Sequence, residues 1–151
     1  MPTTSHIVCP HCGTVNRSPA SRLDEGPKCG KCREELFEAK PLELTGEAFR
    51  KHVSHNDIPV VVDFWAAWCG PCKAMAPEFE RAAVELKSAA RLVKLNTENE
   101  PAIAAQFSIR SVPTMMLFRN GREVARQSGA MQAADIVRWV RTQGATARTG
   151  S

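Results

Sequence analysis

No stretch of this sequence is long and apolar enough to cross a bilayer as a helix. The longest candidate, residues 58–67, is interrupted by Pro59 and Asp63. No export signal is visible, and none is expected: Met1-Pro2-Thr3-Thr4-Ser5-His6 carries no lysine or arginine, and Ile7-Val8 is too short for an apolar signal core. The expectation is a cytoplasmic protein that does not engage a membrane, in a compartment that keeps thiols reduced. Strong net charge is lacking as well. The formal charge is +4, part of it carried by Arg138, Arg141 and Arg148, which is a weak argument for nucleic acid. Finally, residues 1–40 hold little apolar material beyond Ile7, Val8, Val15, Leu23, Leu36 and Phe37. Such a segment cannot bury enough surface to fold unaided.

What is present suits a soluble globular chain, with 43% hydrophobic and 24% charged residues. A length of 151 residues accommodates one ordinary domain and a small appendage. All six cysteines fall in pairs of one spacing: Cys9/Cys12, Cys29/Cys32 and Cys69/Cys72. In a reducing compartment, repeated CxxC pairs are read as metal ligands or redox catalysts before structural disulfides.

Apolar periodicity begins near Pro41, which places a boundary at residues 40/41. From there strands alternate with helices: a short strand at 42–44, a helix capped by Thr45 to about residue 53, and a buried strand at 60–65. A helix follows over about 69–87, with Pro77 inside it expected to cause a kink. Next come a strand at 91–96, a short helix at 101–107, a strand at 114–118, an Asn120-Gly121 hairpin turn, a returning strand at 123–127 and a helix at 131–141. Residues 143–151 are small and polar and are expected to be disordered. The order β-α-β-α-β-α-β-β-α implies an α/β fold, a mixed central sheet with helices on both faces. By itself it names no function.

Thiol–disulfide exchange needs a thiolate to attack and a second thiol to resolve the mixed disulfide. Cys69 and Cys72 at a helix start meet that need. The unsatisfied N–H groups and the helix dipole favour the Cys69 thiolate, and Cys72 lies one turn inward. Pro71 suits the first helical turn, and Gly70 lets a substrate chain approach. The alternative, half of a metal site, lacks two further ligands nearby.

The run Val61-Val62-Asp63-Phe64-Trp65-Ala66-Ala67-Trp68-Cys69-Gly70-Pro71-Cys72-Lys73 resembles the active-site strand and loop of the thioredoxin family. The resemblance continues through Ala76-Pro77, Val93-Lys94-Leu95-Asn96, Ser111-Val112-Pro113-Thr114, Leu117-Phe118-Arg119-Asn120-Gly121 and Gly129, and so covers about residues 42–142. It implies a thioredoxin fold and a protein-disulfide reductase re-reduced by an NADPH-dependent thioredoxin reductase. It further implies that Asp63, buried with a raised pKa, accepts the Cys72 proton, and that Lys94 is its ionic partner. Pro113 would be the family's cis-proline, leaving the Val112 backbone free to pair with an extended substrate. Trp68 would rim the groove, Trp65 would pack behind it, and Gly129 would keep the groove open. Ala67 departs from the charged or polar residue of many relatives.

The other four cysteines form C-x2-C-x16-C-x2-C, a spacing read as a structural zinc site. Each pair is a knuckle that aims backbone N–H groups at its thiolates, with Gly13 or Gly30 relieving strain. Four thiolates (Cys9, Cys12, Cys29, Cys32) would close a tetrahedron with no open position, and metal binding would replace the missing core. His11 and His6 are weaker candidates as ligands. A four-cysteine module ahead of such a domain resembles the bacterial zinc-carrying thioredoxin 2 subgroup. The organisation expected is a zinc module over 1–40, a thioredoxin domain over 41–142 and a tail. The protein should be a monomer whose partners are the reductase and oxidised proteins. Basic and acidic residues nearly balance in 1–40, which argues against nucleic acid there.

Overall fold

In a computed structural model, which describes residues 4–149, the chain forms two sheets. The first is a hairpin of β1 (Thr4–Val8) and β2 (Val15–Pro19), followed by a short helical segment at Ala20–Glu25. The second has five strands: β3 (Leu42–Glu43), β4 (Val60–Trp65), β5 (Arg91–Asn96), β6 (Thr114–Arg119) and β7 (Arg122–Ser128). Their order is β3-β5-β4-β6-β7. The first three run parallel, and β6 and β7 are antiparallel additions. Helices α1 (Gly46–His55), α2 (Gly70–Leu86), α3 (Pro101–Gln106) and α4 (Ala133–Thr149) complete the fold.

Strand alternation divides the core. Val61, Leu92, Met115 and Leu117 face α2 and α4, where they meet Met75, Phe79, Ile136, Val137 and Val140. Val60, Val62, Phe64, Val93, Leu95, Met116 and Phe118 face α1 and α3. On that side Phe49 packs edge-on to Phe64, Phe107 and Phe118, with ring centroids 6.2–6.5 Å apart. Apart from Asp63, β4 is thus apolar on both faces, as a central strand covered on both sides must be. Asn120 and Gly121 both take positive φ (54° and 80°), closing β6–β7 with the two-residue turn that matches strand twist. α4 is anchored to α2 where the Ala133 N–H donates to Glu78 Oε1 at 2.9 Å.

The structure departs from the sequence reading in several places. α4 continues to Thr149, so residues 143–149, expected to be disordered, extend a helix; residues 150 and 151 lie outside the described residues. Ala145, Ala147 and Arg148 are good helix formers, and Gly144 alone does not stop a helix already nucleated. Thr45 occupies the N-cap of α1 without a side-chain cap bond. As expected, Pro77 lies inside α2. The β1–β2 hairpin carries no clear signal in the sequence, because only Ile7 and Val8 of β1 are apolar and the pairing is closed by a cysteine knuckle.

The hairpin is built into the larger unit. Ile7, Cys9, Cys29, Leu36 and Phe37 form a small core completed by Ile58, which lies just before β4. Polar groups clamp the same joint. Arg91 at the head of β5 is 5% exposed and donates to Val8 O and Leu36 O, both at 2.8 Å. Its guanidinium lies 5.1 Å from the Phe37 ring centroid. Burial pulls its pKa down to about 10, which leaves it charged at neutral pH. Asn56 Oδ1 accepts the Val8 N–H at 2.8 Å, while Asn56 Nδ2 donates to His52 Nδ1 and His52 O. Burial lowers the His52 pKa to about 3, so its imidazole is neutral and free to accept. His6 N–H donates to Asp57 Oδ2, and Asp57 N–H donates to His6 O at 2.8 Å.

Arg91→Ala would leave the carbonyls of Val8 and Leu36 buried without donors and open a cavity beside Phe37. A loss of about 3 kcal/mol in urea unfolding is expected, against less than about 0.5 kcal/mol for Arg138→Ala on exposed α4. Equal losses for the two variants would refute the clamp.

Candidate functional site

β4 ends at Trp65, and the turn Ala66-Ala67-Trp68 delivers Cys69 to the N-cap of α2. Cys69 and Cys72 are joined as a disulfide with Cα atoms 5.3 Å apart. The Cys72 N–H points at Cys69 Sγ (3.1 Å), so the cysteine side chain caps the helix in the way an oxygen usually does. A thiolate at that atom gains from the N–H and from the positive end of α2. Both cysteines are buried, whereas Trp68 beside them is 70% exposed.

Cys69 Sγ lies 3.5 Å from Val112 O, an acceptor that a reduced Cys69 thiol can use. The Val112–Pro113 peptide is cis, as expected for Pro113. Gly129 N–H donates to Pro113 O at 2.9 Å and has φ +97°, which a side chain would strain. A Cβ at Gly70 or Gly129 would meet nothing within 4 Å, so there is open space beside Cys69 at Gly70 and beside the Pro113 loop at Gly129. Trp65, Ala66, Cys69, Cys72 and Val112 form one apolar cluster. The fold therefore brings together Trp68, Cys69, Gly70, Pro71, Cys72, Val112, Pro113 and Gly129, which are spread over residues 68–129 of the sequence.

Asp63 is fully buried on the sheet face covered by α2, and neither of its oxygens has a hydrogen-bond partner among the described residues. Burial raises its pKa from 3.8 to about 7; Lys94 opposes the rise and Glu43 adds to it. The family resemblance implies Lys94 as its ionic partner. The pair is adjacent across β4–β5, but the Lys94 ammonium lies over the Trp65 ring, 4.7 Å from its centroid. No ion pair joins it to Asp63 among the described residues, so the lysine acts on the carboxylate through space. Glu43, which carries no signal in the sequence, accepts from Trp65 Nε1 at 3.1 Å.

The second cluster lies in the N-terminal sheet. The sulfurs of Cys9, Cys12, Cys29 and Cys32 all lie within 4.8 Å of one another. Cys9–Cys32 and Cys12–Cys29 are each 3.6 Å apart, close to the roughly 3.8 Å edge of a tetrahedron with Zn–S bonds of about 2.3 Å. His11 and Cys12 N–H groups point at Cys9 Sγ, and Lys31 N–H at Cys29 Sγ. The Cys32 N–H and the Asn16 side chain draw the Cys29 pKa from 9.0 to about 5, favouring the ligand form. The two knuckles are copies in backbone terms: Gly13 N–H donates to Cys9 O, and Arg33 N–H donates to Cys29 O. Gly13 takes φ +79°, but in the second knuckle the left-handed position falls on Arg33 (φ +70°), not on Gly30. His11 faces Glu38 Oε2 at 2.8 Å and His6 faces Asp57, so neither histidine joins the four sulfurs.

These two sites agree with what the chain matches elsewhere. A family model described as Thioredoxin matches residues 40–142. The chain belongs to the thioredoxin family. A second model, described as Thioredoxin 2, N-terminal, matches residues 8–34 and is of the zinc-ribbon kind. Thioredoxin C-3 of Corynebacterium nephridii is 41% identical over 137 residues, covering 91% of this chain and 94% of that one. The thioredoxin of Porphyra purpurea is 45% identical over 94 residues, covering 62% of this chain and 88% of its own. Among solved structures, chloroplastic thioredoxin z superposes with a TM-score of 0.65 at 28% identity, covering 70% of this chain and 96% of that one. A mutant thioredoxin from Halobacterium salinarum gives 0.64 at 29% identity, covering 70% of this chain and 92% of its own. This thioredoxin is accordingly a thiol–disulfide oxidoreductase that reduces disulfides through its CxxC pair, and the fold is a thioredoxin fold preceded by a zinc-ribbon module. No described helix is long and apolar enough to cross a membrane.

The buried carboxyl sets a pH signature on stability. Between 3.8 and about 7 the folded chain holds a proton that the unfolded chain releases, so stability falls as pH rises through that window. Asp63→Asn removes this cost. It should be more stable than the parent by up to about 4 kcal/mol at about pH 8, and by little at about pH 3. Urea unfolding of the oxidised protein at both pH values reads the difference; a pH-independent gain would count against a buried, titrating Asp63.

Proposed function

We propose that this thioredoxin is a general reductant of cytoplasmic protein disulfides, re-reduced by an NADPH-dependent thioredoxin reductase and working as a monomer. The observation that carries the reading is the placement of Cys69 Sγ. It lies at a helix N-terminus, under the Cys72 N–H, with open space at Gly70 and a buried, unpartnered Asp63 beneath the same helix. In the reaction, the Cys69 thiolate attacks one sulfur of the substrate disulfide and expels the other as a thiolate, forming a mixed disulfide. Cys72 then gives its proton to Asp63 and attacks Cys69 Sγ. The substrate's second sulfur leaves with the electron pair, and the Cys69–Cys72 disulfide closes. With a pKa of about 7, Asp63 is part ionised at neutral pH and can accept that proton. Lys94 tunes Asp63, and Trp68, Gly70, Pro71 and Gly129 shape the groove. The Val112 backbone beside Pro113 pairs with extended substrate.

The chain divides into a zinc module over 1–40 and a thioredoxin domain over 41–142. Cys9, Cys12, Cys29 and Cys32 would hold one zinc ion. When bound, the metal cross-links the two knuckles; with four sulfurs it offers no open position for chemistry.

Two measurements test this. With NADPH and thioredoxin reductase, Cys69→Ser should reduce a model protein disulfide at less than about a hundredth of the parent rate, and Cys72→Ser should accumulate a mixed disulfide through Cys69. Retained turnover in Cys69→Ser would end the reading. Metal analysis should give one zinc per chain, lost in Cys29→Ser along with several degrees of melting temperature. Zinc retained by that variant would exclude the four-sulfur site.

A further inference from the structure

Register places three charged residues in one row across the sheet. Glu43 on β3 is opposite Lys94 on β5, and Lys94 is opposite Asp63 on β4. Alternation puts all three on the face covered by α2 and α4, since Val61 and Leu92 belong to that core while Leu44, Val62 and Val93 belong to the other. Lys94 therefore stands between two carboxylates. Trp65, two residues beyond Asp63 and so on the same face, carries the Lys94 ammonium over its ring and donates its indole N–H to Glu43. The same tryptophan packs against Ala66, Cys69 and Cys72. Asp63, at the inner end of the row, has neither a hydrogen bond nor an ion pair among the described residues.

An ammonium seated directly on Asp63 would hold it ionised and make it a poor proton acceptor at neutral pH. Something must therefore hold the cation outward, and the groups that do so are the Glu43 carboxylate and the indole face that Glu43 fixes. We propose that Glu43 is a positioning residue of the redox site: it anchors the Trp65 indole and draws Lys94 onto that ring, away from Asp63. The inference rests on the reading of Asp63 as proton acceptor for its functional meaning, but not for its geometry. Asp63 lies opposite Lys94 on β5 and Met115 on β6, with Glu43 beyond Lys94 on β3; the helices covering that face bring the apolar Met75 and Phe79 from α2 and Ile136, Val137 and Val140 from α4. Glu43 and Lys94 are thus the charges available to be rearranged.

The test is a direct carboxyl titration of Asp63 by NMR in Glu43→Gln and Glu43→Ala, with the Trp65 indole proton as a second probe. Glu43 is exposed, so both variants should fold. Gln keeps an acceptor for the indole and removes the charge. The Asp63 midpoint should fall by about half a pH unit or more while the indole signal stays in place. Ala removes both, so the midpoint should fall and the indole signal should also move. In a Lys94→Met background the effect of Glu43→Gln should drop to less than half. An Asp63 midpoint unchanged within about 0.2 pH unit in both single variants would overturn the proposal, as would an undiminished effect in the Lys94→Met background, which would mean that Glu43 acts on Asp63 directly. The titration does not depend on turnover. If Asp63→Asn kept the full rate of mixed-disulfide resolution, the proton-acceptor role would fail while the Glu43 arrangement would still be judged by its midpoint.

Discussion

A carboxylic acid is held in the middle of a sheet, on a strand whose other residues are all apolar, with no hydrogen-bond partner among the described residues. That constraint organises much of the rest. Burying Asp63 on β4 costs free energy in its ionised form, and the surrounding core of Val61, Met75, Phe79, Met115 and Leu117 must be packed well enough to bear the cost. In return the site holds a group that can take a proton near neutral pH, beneath the helix whose first turn carries both thiols.

The dithiol and the carboxyl come from adjacent parts of one strand–turn–helix unit, but neither is complete without distant segments. The Val112–Pro113 loop brings a carbonyl to Cys69 Sγ from across the sheet. β5 and β3 bring Lys94 and Glu43 to the far side of Trp65. The tryptophan is where the two sets meet, because it touches the cysteine cluster on one side and the charged pair on the other.

The N-terminal hairpin follows a different logic. Its core is too small to stand alone and borrows Ile58 from the larger unit. Its backbone is held at Val8, the residue before Cys9, from two directions: Asn56 accepts the N–H and Arg91 donates to the carbonyl. Arg91 heads the strand that also carries Lys94. The N-terminal module and the redox site thus both bear on β5, one at Arg91 and the other at Lys94, which makes the module a built-in part of the fold and not a tethered appendage.

The sequence alone determined whatever depends on near neighbours. Cysteines three apart at a helix start, the β-branched run around Asp63, the Asn120-Gly121 turn and the spacing of the four N-terminal cysteines each carry a local physical signal. From these the α/β order, the reactive thiols and the sulfur cluster were legible. Helix ends and knuckle details were less so, since Arg33 can adopt the left-handed turn that glycine was expected to supply, and α4 can run on once nucleated. Only the tertiary structure decided the relations across long separations. Arg91 reaches carbonyls 55 and 83 residues away, and no periodicity marks a strand-initial arginine as a clamp. Likewise, the choice of Lys94 between Asp63, Glu43 and the Trp65 ring depends on strand register and burial, which set distance and dielectric together and exist only once the chain is folded.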